Sequence, residues 1–565
     1  MGFLDLFFAL ILRLTLSLPE QYLQDSLLEE VVGGEDYETL SQSPEFLDEY
    51  LTYAMESMPG DGPGMRRTQQ ILTSSWKNSD PISGAAFRYR LKIKYTNHWE
   101  ARLVADQDPG EKWRYYSIPH LPNHLSGGFL IRPGNHIREV IMGDYQIHSG
   151  FGAVIGSSPQ LNITLGNPGY LHRPGRGIRL HSGTDEIRFL RGTALRLAHN
   201  RSEWIFFGNG KMTSIGSDTL PEMAGGALYN LRFTAFEGGV SVVGVRYDSL
   251  VVEPDDWSTD HEKACQTFIR TGAWGQCRLP FGILFGEAGW SPGKGNAWIG
   301  GFRLFDQNGF SLVARITSTS PGYPVRYTWF QTGNALTRSR TEAIASFQYA
   351  RNRKVTWQGS LQSSFDSWPD GTRLFMPATR ISQRMIVALP NQWRLTATCV
   401  LASTDSISGI PRELTWKLQA DNNADHSHTL HLRAGIQQSL SGITDSPLSS
   451  TSADISASIR MAKENLQMTT GFRVFFSKPG GPVLYSWEPD LLYGWSAPVL
   501  SGSGSRWYLN LRWTLLPGLV IEGKVYQARY TDLKHLTDGN NGGMGVRMQV
   551  SWTRPGAATH TAYGS

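Results

Sequence analysis

The sequence predicts an all-β protein, a large antiparallel transmembrane β-barrel of roughly 16–22 strands with a short helical segment before it. Three observations carry this prediction. Among 565 residues there are 60 Gly, 29 Pro and 11% aromatics, 18 of them Trp, a composition that suits many strands joined by turns. Apolar and polar residues alternate with a period of two over several hundred residues, the signature of strands with two different faces. Mean hydropathy is −0.29, and no run of about 18 apolar residues follows residue 20, so no helical membrane span is expected there.

The elements follow in chain order. "MGFLDLFFALILRLTLSL" has an apolar middle of signal-peptide length, so residues 1–18 are assigned as an export signal, although Asp5 and Arg13 interrupt it and no small-x-small cleavage site is evident. An amphipathic helix is the alternative. Residues 19–80 form an acidic periplasmic segment and linker, with Leu, Phe and Tyr spaced by three and four among Asp and Glu, as in two short helices. The barrel is assigned to residues 81–565.

Its first strand, "FRYRLKIKY", sets Phe87, Tyr89, Leu91, Ile93 and Tyr95 against Arg88, Arg90, Lys92 and Lys94. The following "WEARLVAD" sets Trp99, Ala101, Leu103 and Ala105 against Glu100, Arg102 and Asp106. Basic side chains on such a face bias a lumen toward anions unless the acidic neighbours neutralise them. The alternation recurs in "ALYNLRF", in "RWYLNLRWTL" and in the last strand, "MGVRMQVSW". A soluble sandwich or propeller is the alternative source of such strands. Aromatics bracketing the apolar faces, as Trp507 and Trp513 do, and the lack of a 40–50-residue repeat favour the barrel.

The charge balance, 53 Lys+Arg against 49 Asp+Glu, leaves +4, too small and too dispersed to imply nucleic acid as a partner. Cys265 and Cys277 share one Trp- and Asp-rich stretch and are candidates for a disulfide in an oxidising compartment. His426 and His428 share a strand face but no third ligand accompanies them, and no Gly-rich phosphate loop is present, so neither metal nor cofactor is expected.

"SDPISGAAFRYRLKIKYTNHWEARLVADQDPGE", "VIMGDYQIHSGFG", "RGIRLHSGTDEIRFLRGTAL", "LFGEAGW" and "AWIGGFRLF" occur in this order. They resemble successive landmarks of the Bacteroidota outer-membrane β-barrel family of helix-hairpin-helix domain-containing proteins. The resemblance covers most of residues 80–350. It implies a barrel in the outer membrane behind a periplasmic helical region, and it assigns no particular biochemical function. Gly143, Asp144 and Tyr145 fall on the family's Gly-Asp-Tyr strand, with Gly150 and Gly152 in its Gly-rich continuation. A strand of this kind bends inward or is packed by a plug. Asp144 is expected to pair with Arg179, Arg188 or Arg191, with Glu186 as a second carboxylate, in a luminal charge network.

The family's helix-hairpin-helix units are largely lost here. "MPGDGPGMRRTQQIL" keeps the Pro-Gly-x-Gly-Pro outline, but Asp61 repels phosphate, and Arg66 and Arg67 are its only candidate phosphate contacts. The expected function is therefore that of a non-enzymatic outer-membrane barrel, a channel, a translocation component or the anchor of an envelope complex. Its expected partners are outer-membrane lipid and envelope proteins. A DNA-uptake or DNA-binding envelope protein is the alternative, and an outer-membrane lipid hydrolase a third.

Overall fold

The computed structural model describes residues 66–554, apart from 79–83, 96–97, 108–113, 116–117, 120–123, 157–170, 173, 176, 182–188, 216–217, 254–262, 321, 329–338, 353, 368–377, 404–410, 426–427, 442–449, 479–483, 486–487, 492–497, 501, 517 and 532–542. The proposed signal and the helical segment before residue 66 lie outside the described residues.

Alternation of apolar and polar residues yields 24 antiparallel strands in one closed ring. Each pairs with its neighbours in sequence, and the first, Arg66–Asn78, closes the ring against the last, Met544–Arg554, from Thr68↔Arg554 to Asn78↔Met544. Closure satisfies every ladder edge, which is what a strand needs where no water is available. No helix among the described residues is long and apolar enough to cross a membrane.

Register partners share a face, so the alternation sorts the whole ring into an inside and an outside. Outward lie Phe129, Trp204, Met223, Ile269, Leu284 and Ile455, with Met223 61% and Ile455 69% exposed. A continuous apolar exterior of this extent belongs in lipid. Inward lie buried polar side chains such as Arg90, Glu100, Asp106, Glu203, Glu222, Arg506 and Lys524. The faces read from the sequence hold: Tyr508 and Arg506 point in, and Leu511 and Trp513 point out.

The two rims differ. At one, connections are short, as in the two-residue turns Asn200–Arg201 and Asn308–Gly309. Asn308 and Gly309 both have positive φ, 56° and 79°, as a hairpin turn matched to strand twist requires. Both ends of the ring, Arg66 and Arg554, lie at this rim. At the other, connections are longer, and among the described residues 149–156, 171–172, 177–181, 322–328, 484–485, 488–491 and 499–500 fold back into the barrel. The hydrophobic core therefore sits inside the lumen: Ile141, Tyr145, Ile147, Val154, Ile155, Leu180 and Leu190 pack with wall residues Ile205, Leu228 and Val243.

Three expectations are corrected. The strand count exceeds 16–22, because two-residue turns leave more chain for strands. The barrel begins at residue 66 and not 81, since Arg66–Asn78 is a wall strand paired on both sides. Cys265 and Cys277 lie on the same strand, Lys263–Leu279, about 40 Å apart along extended chain. A disulfide needs Cα atoms within about 7 Å, and Cys277 is free.

Candidate functional site

The strand Ile137–His148 is where the wall and the lumen meet. On one side it pairs with His124–Ile131 only from Ile131↔Val140 to Gly128↔Gly143. On the other it follows Leu190–His199 as far as Tyr145↔Leu190. At Gly143 it turns off the wall: φ is 97°, and a Cβ there would lie 2.3 Å from the Gly127 carbonyl oxygen, so only glycine fits. Beyond the bend alternation ends, and residues 144–147 are all buried. The short strand Gly177–Leu180 covers them from within the lumen.

The departing strand leaves ladder groups of the neighbouring strand without a strand partner, and Asp144 and Arg191 fill that gap. Asp144 Oδ2 accepts the Gly127 N–H at 3.0 Å, and Arg191 donates to the Leu125 carbonyl at 2.9 Å. The two side chains are joined by parallel bonds, Nε to Oδ1 at 2.6 Å and Nη2 to Oδ2 at 2.8 Å. Such bidentate charge-assisted pairs are strong and directional. Asp144 is 1% exposed. Tyr145 adds a bond from its hydroxyl to the Gly208 carbonyl at 2.8 Å.

Residues 149–156 then form a compact loop inside the barrel, with Phe151, Ala153, Val154 and Ile155 buried. A loop removed from water must satisfy its backbone groups, and the far wall supplies the partners. Glu287, inward on the strand Gly282–Ser291, accepts the Phe151 N–H at 2.5 Å and the Val154 N–H at 3.1 Å. The Phe151 ring enters a pocket of Trp274, Phe285 and His172, with centroids 6.1, 4.9 and 5.9 Å away. His172 Nε2 lies 2.9 Å from Gln276 Oε1, and burial holds this imidazole down to about 4. His181, stacked 4.9 Å from Phe189, is held down to about 3 by its burial and, next, by His124 beside it.

A second inward segment, 322–328, locks the first. Tyr323 donates to the Ala153 carbonyl at 2.9 Å, and the Gly156 N–H donates to Tyr327 O at 2.8 Å. The wall holds this segment through Arg270, which is fully buried and donates to the carbonyls of Pro324 at 2.7 Å and Arg326 at 2.5 Å. Glu222 accepts the Tyr327 hydroxyl and pairs with Arg326 at 3.0 Å. A third segment uses the same device. Glu488 pairs with Arg506 and with Lys524 (3.4 Å), Asp490 with Arg547 and with Lys524 (3.8 Å), and Pro489 O accepts from Asn510 at 2.7 Å.

The remaining inner wall, over the strands from Val355–Ser367 to Leu466–Ser477, carries none of the anchors named above. Its inward residues are Ser360, Ser382, Thr398, Thr415, Gln437 and Ser452 among longer charged side chains, several of them part-exposed. At its last strand Phe475 is buried against Leu484 and Leu500 of the third inward segment.

Of the candidate network, the structure joins Asp144 to Arg191. Arg179 lies on the covering strand opposite Gln146, and Glu186 and Arg188 lie outside the described residues. Arg66 and Arg67 open the first wall strand, and the Pro-Gly-x-Gly-Pro segment before them lies outside the described residues. Sequence reasoning missed Glu287, Arg270 and Glu222. Their signal is a lone charge at an inward position of a Gly- and aromatic-rich strand, as in "GILFGEAGWS" and "EMAGGALYNL".

No protein-family model matches the sequence, and no curated protein is similar to it. Solved structures do align. The siderophore receptor PirA from Pseudomonas aeruginosa matches at 8% identity over 88% of this chain and 81% of its own, with a TM-score of 0.44. A point mutant of the ferric enterobactin receptor PfeA from the same species matches at 9% identity over 88% and 81%, with 0.45. OccAB2 of Acinetobacter baumannii matches at 8% identity over 87% and 98%, with 0.33.

Proposed function

We propose that the protein is a non-enzymatic outer-membrane transport barrel whose resting lumen is closed from the cell exterior by its own long connections. The observation that carries this reading is the loop 149–156, seated on Glu287 inside a ring with an apolar exterior. Barrels of more than 20 strands enclose a space too wide to be filled by wall side chains alone. Here the filling comes from segments with ends in the wall, held by polar anchors that a change of conformation can release. The rim with short turns is the periplasmic one and the rim with long connections the external one, as in outer-membrane barrels generally. This puts Arg66 on the periplasmic side.

Membership in the helix-hairpin-helix barrel family is part of the proposal, supported by the quoted landmarks falling in order on wall strands and on the luminal segment. The nucleic-acid alternative loses its support, since Arg66 and Arg67 belong to a wall strand. The hydrolase alternative, for which His148-Ser149 and "GSGSR" are the only candidate stretches, has no nucleophile-elbow context in the sequence.

The test is conductance of the purified protein in planar bilayers, with heat-modifiable gel migration as the check on folding. The native protein is expected to be nearly silent and Glu287→Ala to give steady open steps. A heat-modifiable barrel silent in both forms would overturn the transport reading and leave the membrane-anchor role.

A further inference from the structure

Two exposed histidines meet at the short-turn rim. His136 is the second residue of the tight turn before the strand Ile137–His148, and His199 ends the strand Leu190–His199, just before the turn Asn200–Arg201. The turns stand side by side because these strands pair from Ile137↔Leu197 onward, and the Ala198 N–H donates to the His136 carbonyl at 2.8 Å. The two imidazoles have their Nδ1 atoms 3.2 Å apart and their ring centres 4.9 Å apart. Asn200 Nδ2 lies 3.2 Å from the other nitrogen of His199, Nε2. In the chain the two histidines are 63 residues apart, so no local motif marks them, and the expectation that no metal binds was drawn from local motifs alone.

This spacing is that of two ligands on one metal ion. Imidazoles sharing a tetrahedral ion at bond lengths of about 2.0–2.1 Å have donor atoms about 3.3 Å and ring centres about 5 Å apart. In the metal-free pair one Nδ1–H donates to the other Nδ1. The Asn200 amide donates to His199 Nε2, which leaves the hydrogen of His199 on Nδ1 and makes His136 Nδ1 the acceptor. An ion takes both Nδ1 lone pairs. The His199 proton then moves to Nε2, so none is lost overall, and the Asn200 amide turns over to accept it through Oδ1, as the outer partner of a ligating histidine does.

We infer that His136 and His199 bind a divalent transition-metal ion of the zinc or copper class. Neutral nitrogen donors favour these borderline ions, whereas calcium and magnesium require oxygen. No third His, Cys, Asp or Glu completes a metal-binding group among the described residues, so water fills the other positions. The arginines nearby are directed elsewhere: Arg196 bridges Glu139 and Glu203 at 2.9 and 2.6 Å, Arg132 is 3.1 Å from Glu139, and Arg201 lies over the Phe233 ring. Bound there, the ion ties the rim end of the strand that leaves the wall at Gly143 to the rim end of its partner, and so fastens the base of the inward turn. The inference stands apart from the transport reading, since it needs neither an open lumen nor a solute.

The experiment titrates Zn²⁺ into the full-length, tag-free barrel in detergent by calorimetry, with heat-modifiable migration as the check on folding. One saturable site is expected, lost in His136→Ala and in His199→Ala and unmoved by a large excess of Mg²⁺. Asn200→Asp, which keeps an acceptor for the Nε2–H, is expected to tighten the site by about tenfold. With Cu²⁺ in place of Zn²⁺, electron paramagnetic resonance is expected to show two nitrogen donors, a signature missing from the His136→Ala/His199→Ala double variant. Both side chains are exposed, so these variants should assemble normally. A heat-modifiable barrel without saturable Zn²⁺ binding overturns the inference. Binding that survives the double variant unchanged, and so belongs to other histidines of the chain, overturns it equally, as does binding displaced by Mg²⁺.

Discussion

Two halves of the wall share an exterior and differ inside. From His124–Ile131 to Ser339–Asn352 the inner face carries Ile205, Phe207, Leu228, Trp274, Phe285, Ile299 and Val313, packed against inward-folded segments. From Val355–Ser367 to Leu466–Ser477 it carries mostly Ser, Thr, Gln and charged residues, until Phe475 packs against Leu484 and Leu500. Outward, both halves are alike: Met223, Ile269 and Leu284 in one, Ile381, Trp416 and Ile436 in the other. Lipid imposes one rule on the exterior, whereas the interior follows whatever it faces, folded chain or water. An apolar residue on the inward face of such a strand thus marks where a plug docks.

That contrast can be tested by disturbing each half. The largest effect is expected from Glu287→Ala, which strands two buried N–H groups at about 1–3 kcal/mol each. The loop should leave its seat, read as steady conductance with heat modifiability retained. Gly143→Ala should be nearly as severe, because strain and collision at the bend act together. Its expected outcome is a reduced yield of assembled barrel, and normal assembly would show that the bend is dispensable. Asp144→Asn keeps the shape but removes one charge of a buried pair, for a loss of about 1–3 kcal/mol. Faster hydrogen exchange at Gly127 and residues 144–148 would report it.

Acid provides a graded perturbation of the packed half. His172 and His181 are buried neutral, held down to about 4 and about 3, while an undocked imidazole titrates near 6.5. Their contribution is therefore whole above about pH 6.5 and is lost as pH falls toward those lower values. Open probability should rise over that range, and His181→Phe should blunt the rise. At the bottom of the series, Thr415→Val in the polar half should change stability by less than about 0.5 kcal/mol. A large effect there would mean that something packs on this wall after all.

The outside of the barrel was legible in the sequence because lipid and lumen impose a period of two on each strand by itself. Arg506 and Tyr508 against Leu511 and Trp513 can be sorted from ten residues of sequence. The Asp144–Arg191 pair was within reach because both residues belong to short landmarks with charges that stand out from their surroundings. Glu287 with Phe151, or Arg270 with Pro324, was not. Those partners are far apart in sequence and meet across the lumen, where no local periodicity relates them. The disulfide candidate failed for a related reason: twelve positions of separation are close in a loop and far apart in a strand.

Closure of the ring by its first and last strands has a consequence for biogenesis. The pairing Thr68↔Arg554 joins positions separated by nearly the whole described chain. Until the C-terminal strand is delivered, Arg66–Asn78 presents an open edge, and every intermediate carries two such edges with an apolar face beside them. Long-range pairings of this kind form slowly, and exposed edges invite association with other chains. The protein must therefore be escorted until its last strand arrives, and a truncation just before Met544 should be far more damaging than its length suggests.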